Sequence, residues 1–109
     1  FINFNLNKMG TVKIDSNQSA CSMTVIDLSS DAATTVSAVP AILLGVYVNV
    51  VMSAHAVTIG DATTTKITLP ASTAAGTNMN CYGATFGTSI VVTPNASSTG
   101  TITVFYRQI

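Results

Sequence analysis

Apolar and polar residues alternate with a period of two along most of this chain, the pattern of strands that bury one face. The first seven residues set Ile2, Phe4 and Leu6 against Asn3, Asn5 and Asn7. Asn is a poor strand former, so something has to compensate for it, and pairing with a partner is one candidate. Such a strand adds to the edge of its own sheet, or reaches across and completes the sheet of a neighbouring subunit. Residues 11–15 predict a short strand with Val12 and Ile14 on one face, and Ser16-Asn17-Gln18-Ser19 is turn chemistry. Residues 21–28 predict another strand, closed by Ser29-Ser30-Asp31.

Residues 32–39 are small and polar and fit helix or loop equally. After Pro40, the residues Ile42, Leu44, Val46, Val48, Val50 and Met52 share one parity, which predicts the best core strand of the chain. Leu43, Tyr47 and Val51 on the opposite side imply that this second face is partly covered as well. Two hairpins are predicted next. Val57 and Ile59 lead through Gly60-Asp61-Ala62 to Ile67, Leu69 and Pro70. Residues 71–77 form an Ala/Ser/Gly/Thr connection. Ile90 and Val92 then run through Pro94 and residues 95–100 to Ile102, Val104 and Tyr106. Turn signals at spacings of roughly 8–12 residues, without a helical period, predict an all-β antiparallel β-sandwich, jelly-roll or Ig-like. A single domain over residues 1–109 is expected, with residues 1–9 as an arm able to exchange.

Composition sharpens this picture. Only 7% of the 109 residues are charged against 48% hydrophobic, where ordinary domains run near a quarter charged. A chain so poor in charge keeps little of the repulsion that holds small proteins apart, so much of its exterior is expected to face other protein. Formal net charge is +0, and Lys8, Lys13, Lys66 and Arg107 are scattered. Nucleic-acid binding, which concentrates cations in a patch, is not expected. Residues 38–52 are the most apolar stretch, but they fall short of the roughly 20 a bilayer core requires and Pro40, Gly45 and Asn49 interrupt them. No membrane partner is expected, and no basic segment followed by an apolar one opens the chain as a signal peptide.

Candidate chemistry is sparse. Cys21 and Cys81 are the only cysteines. A disulfide between them would be worth on the order of 4 kcal/mol, while two free thiols would act as small apolar residues. The free-thiol reading is preferred, because a core of this size can stand without a staple. One His in total excludes a cysteine–histidine zinc site. That residue, His55 in Ser53-Ala54-His55-Ala56, reads as a turn histidine. Asp15, Asp27, Asp31 and Asp61 adjoin turns or strand ends, where Asp caps backbone amides. No calcium loop, nucleophile elbow or phosphate-cradling glycine loop is present. Asn17-Gln18-Ser19 and Asn95-Ala96-Ser97 match the glycosylation acceptor pattern. Tyr47, Tyr82, Tyr106, Phe86 and Phe105 read as core and sheet-face aromatics, with a sugar-stacking platform as the alternative. No catalytic residue, cofactor or metal ligand is expected, and the chain is not read as an enzyme.

Three runs carry a family resemblance. They are Ser37-Ala38-Val39-Pro40-Ala41-Ile42-Leu43-Leu44-Gly45-Val46-Tyr47-Val48-Asn49, Leu69-Pro70-Ala71-Ser72-Thr73-Ala74-Ala75-Gly76 and Phe86-Gly87-Thr88-Ser89-Ile90-Val91-Val92-Thr93-Pro94. With the closing Gly100-Thr101-Ile102-Thr103-Val104-Phe105-Tyr106-Arg107, about two-thirds of the chain resembles small virion-associated proteins of tailed bacteriophages. Those proteins commonly carry acidic residues around the last hairpin, whereas Asn95-Ala96-Ser97-Ser98 here is uncharged.

The resemblance implies a capsid decoration (cement) protein, assembled in the host cytoplasm and seated on the outside of the virion, where it clamps adjacent capsid subunits. Its partners would be the major capsid protein and further copies of itself. The partner-binding residues expected on this reading are Ile2, Phe4, Leu6, Tyr47 and Tyr106. The alternatives are a donor-strand-linked extracellular filament subunit and a carbohydrate-binding or tail adhesin module.

Overall fold

The structure, a computed structural model, describes residues 21–30 and 32–109. The expectations placed on Ile2, Phe4, Leu6, residues 11–15, Asp15, Asn17 and Asp31 lie outside the described residues. Among the described residues eight strands follow in order: β1 (Ser22–Asp27), β2 (Thr34–Ser37), β3 (Ala41–Val50), β4 (Val57–Gly60), β5 (Thr65–Leu69), β6 (Asn78–Phe86), β7 (Ile90–Thr93) and β8 (Thr101–Gln108). A single 3-10 turn, Leu28–Ser30, follows β1, and no α-helix occurs among the described residues.

The strands form two four-stranded sheets, β1-β8-β3-β6 and β2-β7-β4-β5. Every ladder is antiparallel. First pairs with eighth, second with seventh, third with sixth and fourth with fifth. Residues 22–108 thus form one long antiparallel ribbon wrapped over both sheets, in jelly-roll order and not the Ig-like arrangement. The β-sandwich expected from the turn spacing is what the molecule adopts.

Inward side chains of both sheets make one core. Ile26, Leu43, Val46, Val48, Ile102 and Val104 meet Val57, Ile59, Leu69, Ile90 and Val92, and Leu28, Met52 and Phe86 join them. Full burial of such side chains stabilises by about 1.5–3 kcal/mol each, enough to hold the sheets face to face without a crosslink.

Three expectations need correction. The single parity of β3 fails in its first half: Ala41 and Leu43 are buried there, while Ile42 and Leu44 are half-buried on the other side. The cause is a bulge. Leu43 pairs with Tyr106 and Gly45 with Phe105, so Leu44 has no opposite residue and the inward face changes parity across it. A second irregularity between Val48 and Val50 leaves Val50 52% exposed instead of in the core.

The second correction concerns the last hairpin. β7 lies in one sheet and β8 in the other, so the segment around Pro94 carries the chain between layers. Within that segment Asn95 N–H donates to Ser98 Oγ at 2.9 Å, Ser97 N–H to Asn95 Oδ1 at 2.9 Å and Ser98 N–H to the Asn95 carbonyl at 3.0 Å, a local turn from which the chain passes to the other sheet. The third concerns the strands that the pattern missed. β2 falls in the ambiguous 32–39 stretch, and β6 has no continuous apolar face.

Candidate functional site

The outer face of the β1-β8-β3-β6 sheet carries the residues best placed to meet a partner. The ladder register sets Met23, Phe105, Gly45 and Asn80 side by side in one row. Val25, Thr103, Tyr47 and Asn78 form the next. Opposite residues in a ladder share a face, so each row is a band across all four strands. Met23 is 65% exposed, Val25 66% and Tyr47 38%. Neither row contains an ionised side chain. Thr103 is buried within the second row and donates from Oγ1 to Asn49 Oδ1 at 2.7 Å, which gives its hydroxyl a partner; Asn78 and Asn80 are the exposed amides of the two rows.

Gly45 shapes the middle of this face. Without a side chain there, a hollow of about 320 Å³ opens between Cys21, Leu44, Phe105, Asn78, Met79 and Asn80. Its walls are mostly apolar, with the Asn78 and Asn80 amides and the weaker Cys21 thiol as the side-chain hydrogen-bonding groups among the described residues.

Beside the hollow, β6 departs from regular pairing. Two steps along β3, from Leu43 to Gly45, match four along β6, from Ala84 to Asn80, so β6 carries two residues more than its partner. Tyr82 and Gly83 absorb them with positive φ values of 57° and 68°. For Tyr this left-handed backbone costs about 1–2 kcal/mol. Asn80 Oδ1 accepts the Tyr82 N–H at 2.7 Å and holds the bulge in place. Tyr82 stands 87% exposed, a large aromatic ring with no intramolecular burial to repay its strain.

Of the residues expected to bind a partner, Tyr47 lies on this outer face, while Tyr106 is half-buried against the core. The five aromatics do not converge on a platform: Phe86 is in the core, Phe105 is half-buried in the outer row, and Tyr82 is on the bulge. Gly45 and Tyr82 are the features that sequence reasoning missed. The Asn80-Cys81-Tyr82-Gly83 run held the signal for the second, an Asn two residues before a residue-Gly pair inside an alternating segment.

The two cysteines are free. Cys21 lines the hollow on the outer side, whereas Cys81, next to outward Asn80, packs against the core on the inner side. A sheet separates them, which is why they do not bond. Burial pushes the Cys81 thiol above its ordinary pKa.

Several polar side chains are absorbed by turns and connections, while the buried Ser89 hydroxyl has no hydrogen-bond partner among the described residues. Ser53 Oγ lies 3.1 Å from His55 Nδ1 and accepts the Thr99 N–H at 3.0 Å, tying the β3–β4 connection to the β7–β8 crossing. Asp27 is held below the usual carboxylate range by the Ser29 hydroxyl and amide, and Asp61 by the Thr63 and Thr64 amides. Among the described residues no three His, Cys, Asp or Glu side chains cluster as a metal site would require, and no helix is long and apolar enough to cross a membrane. Comparison of the chain with protein-family models, with curated proteins and with solved structures finds no match.

Proposed function

We propose that this protein is a structural component of a phage head, a decoration protein that binds the capsid exterior and clamps neighbouring capsid subunits. The observation that carries this reading is the pair of uncharged rows on the outer face, where Met23, Val25 and Tyr47 stand exposed with no covering neighbour among the described residues. Burying those two rows against protein gains roughly 25 cal/mol per Å² of apolar area, with no ionised group within them to desolvate. Each contact is small, and repetition over a shell multiplies it. Tyr47 is the residue expected to contribute most, as an aromatic with a polar tip set between Thr103 and Asn78 in the second uncharged row.

The test is to mix the purified protein with expanded, undecorated capsids of a tailed bacteriophage and to follow co-sedimentation and the capsid disruption temperature. Co-sedimentation with a raised disruption temperature is expected. Protein left in the supernatant across all stoichiometries would overturn the reading.

The exposed ring of Tyr82 favours one second reading, a carbohydrate-binding or tail adhesin module, since jelly rolls serve lectins as well as capsids. A glycan array separates the two: hits lost in Tyr82→Ala support the adhesin, and a blank array removes it.

A further inference from the structure

Strands β1, β6, β2 and β5 end the two sheets, and three of these edges are blunted. β6 is broken by the bulge at Tyr82 and Gly83, β5 carries Lys66 and stops before Pro70, and β2 is four residues long with a register shift between Thr35 and Ser37. Such devices keep an edge from pairing further. β1 has none of them: its six residues, without Pro, Gly or Lys, run in unbroken register along β8 from Ser22 opposite Tyr106 to Asp27 opposite Thr101. Just past the strand the Leu28 N–H donates to the Gly100 carbonyl at 2.9 Å. Backbone groups alternate sides along a strand, so Thr24 and Ile26 turn theirs toward β8 while Met23 and Val25 turn theirs toward the outer edge. Among the described residues no strand meets them there.

We infer that residues 11–15 fill this edge, folding back through residues 16–21 as an antiparallel hairpin and adding a fifth strand to the β1-β8-β3-β6 sheet. Residues 1–20 lie immediately ahead of Cys21 and β1, so this segment reaches the edge by reversing direction once. Ser16-Asn17-Gln18-Ser19 supplies the turn residues for that reversal. Side-chain character sets the register. With Asp15 opposite Ser22, Ile14 meets Met23, Lys13 meets Thr24 and Val12 meets Val25, so apolar faces apolar and polar faces polar. A slip of one residue would set Lys13 beside Met23 and Val12 beside Thr24. Val12 and Ile14 thereby prolong the two uncharged rows onto the added strand. Their part in capsid contact rests on the function proposed above; the hairpin does not.

Amide hydrogen exchange of the full chain, followed by NMR without capsids, is the first measurement. The Met23 and Val25 amides should exchange at least about tenfold more slowly than in an unfolded chain. Ile14→Pro removes the N–H that reaches the Met23 carbonyl. It should return both amides to fast exchange while those of Val46 and Val104, inside the sheet, stay protected. Lys13→Cys with Thr24→Cys, in a Cys21→Ser background, sets two thiols at a close, non-hydrogen-bonded pair, and mild oxidation should join them within one chain. Fast exchange at Met23 and Val25 in the wild-type chain would overturn the pairing. So would protection that Ile14→Pro leaves intact, or a thiol pair that stays open or joins two chains. Protection that rises with protein concentration would give the edge to a second copy instead. Faster closure of Val12→Cys than of Lys13→Cys with Thr24→Cys would overturn the register.

Discussion

The Gly45 backbone lies so close to Met79 that a Cβ built on Gly45 would stop 2.9 Å from the Met79 carbonyl oxygen. The contact brings edge strand β6 against β3 at the point where the outer hollow opens. Gly45→Ala therefore has to push β6 outward, since the obstructing atom is backbone. A loss of about 1–3 kcal/mol is expected, the usual cost of overpacking. Denaturant unfolding of Gly45→Ala beside wild type measures it, and an unchanged midpoint would show that the two strands separate freely.

The bulge at Leu44 makes adjacent leucines unequal. Leu43 is fully buried, Leu44 only half. Leu43→Ala should cost about 2–5 kcal/mol through lost transfer energy and the cavity left behind. Leu44→Ala should cost less than half of that, because its site opens to the hollow. Equal losses in thermal melts, or the reverse order, would contradict the change of face at the bulge.

The same bulge marks where sequence pattern stops being informative. Alternation is a local signal, and it correctly located β1, β3, the β4–β5 hairpin and β8, whose Ile102 and Val104 are buried as their spacing implies. A bulge inserts one residue and shifts the inward parity, and nothing in Ile42-Leu43-Leu44 says which of three apolar residues is the extra one. β6 was illegible for a related reason. Its inner Met79 and Cys81 are separated from Phe86 by the Tyr82–Gly83 excursion, so no continuous period exists to read. Whether β7 and β8 share a sheet depends on tertiary packing alone. On the candidate face, Tyr47 was visible as an aromatic opposite a core parity. The hollow was not, because an absent side chain becomes a site only when strands from elsewhere frame it.

The two free thiols should react on different timescales. Cys21 is exposed on the outer side, while Cys81 is half-buried against the core with its thiol pushed up in pKa by burial. Thiolate is the reactive form, so Cys81 loses both access and ionisation. Under native conditions at neutral pH, Ellman's reagent should modify one thiol per chain rapidly and the other only slowly. Cys21→Ser should remove the fast phase, and denaturant should merge the two. A fast phase that survives Cys21→Ser would reverse this assignment.

Asp61 ties the β4–β5 turn to pH. Its Oδ1 accepts the Thr63 N–H at 2.9 Å, the Thr64 N–H at 2.7 Å and the Thr63 hydroxyl at 3.1 Å. These bonds, that of the Thr63 amide foremost, favour the carboxylate and hold the folded pKa below the ordinary 3.8, with Lys66 adding a smaller pull in the same direction. A depressed folded pKa means that the unfolded chain binds the proton first. The stabilisation is therefore complete above the unfolded value and is lost as pH falls through the lower folded one. Asp61→Asn keeps an accepting oxygen but not the charge, so it should melt below wild type at pH 7. The gap should close as pH falls below the ordinary carboxylate value and through the lower folded one, while Asp27, shifted in the same direction, contributes equally to both proteins. Thermal melts of the two proteins across that range decide it: a gap that stays constant with pH would mean that the Asp61 charge takes no part in holding the turn.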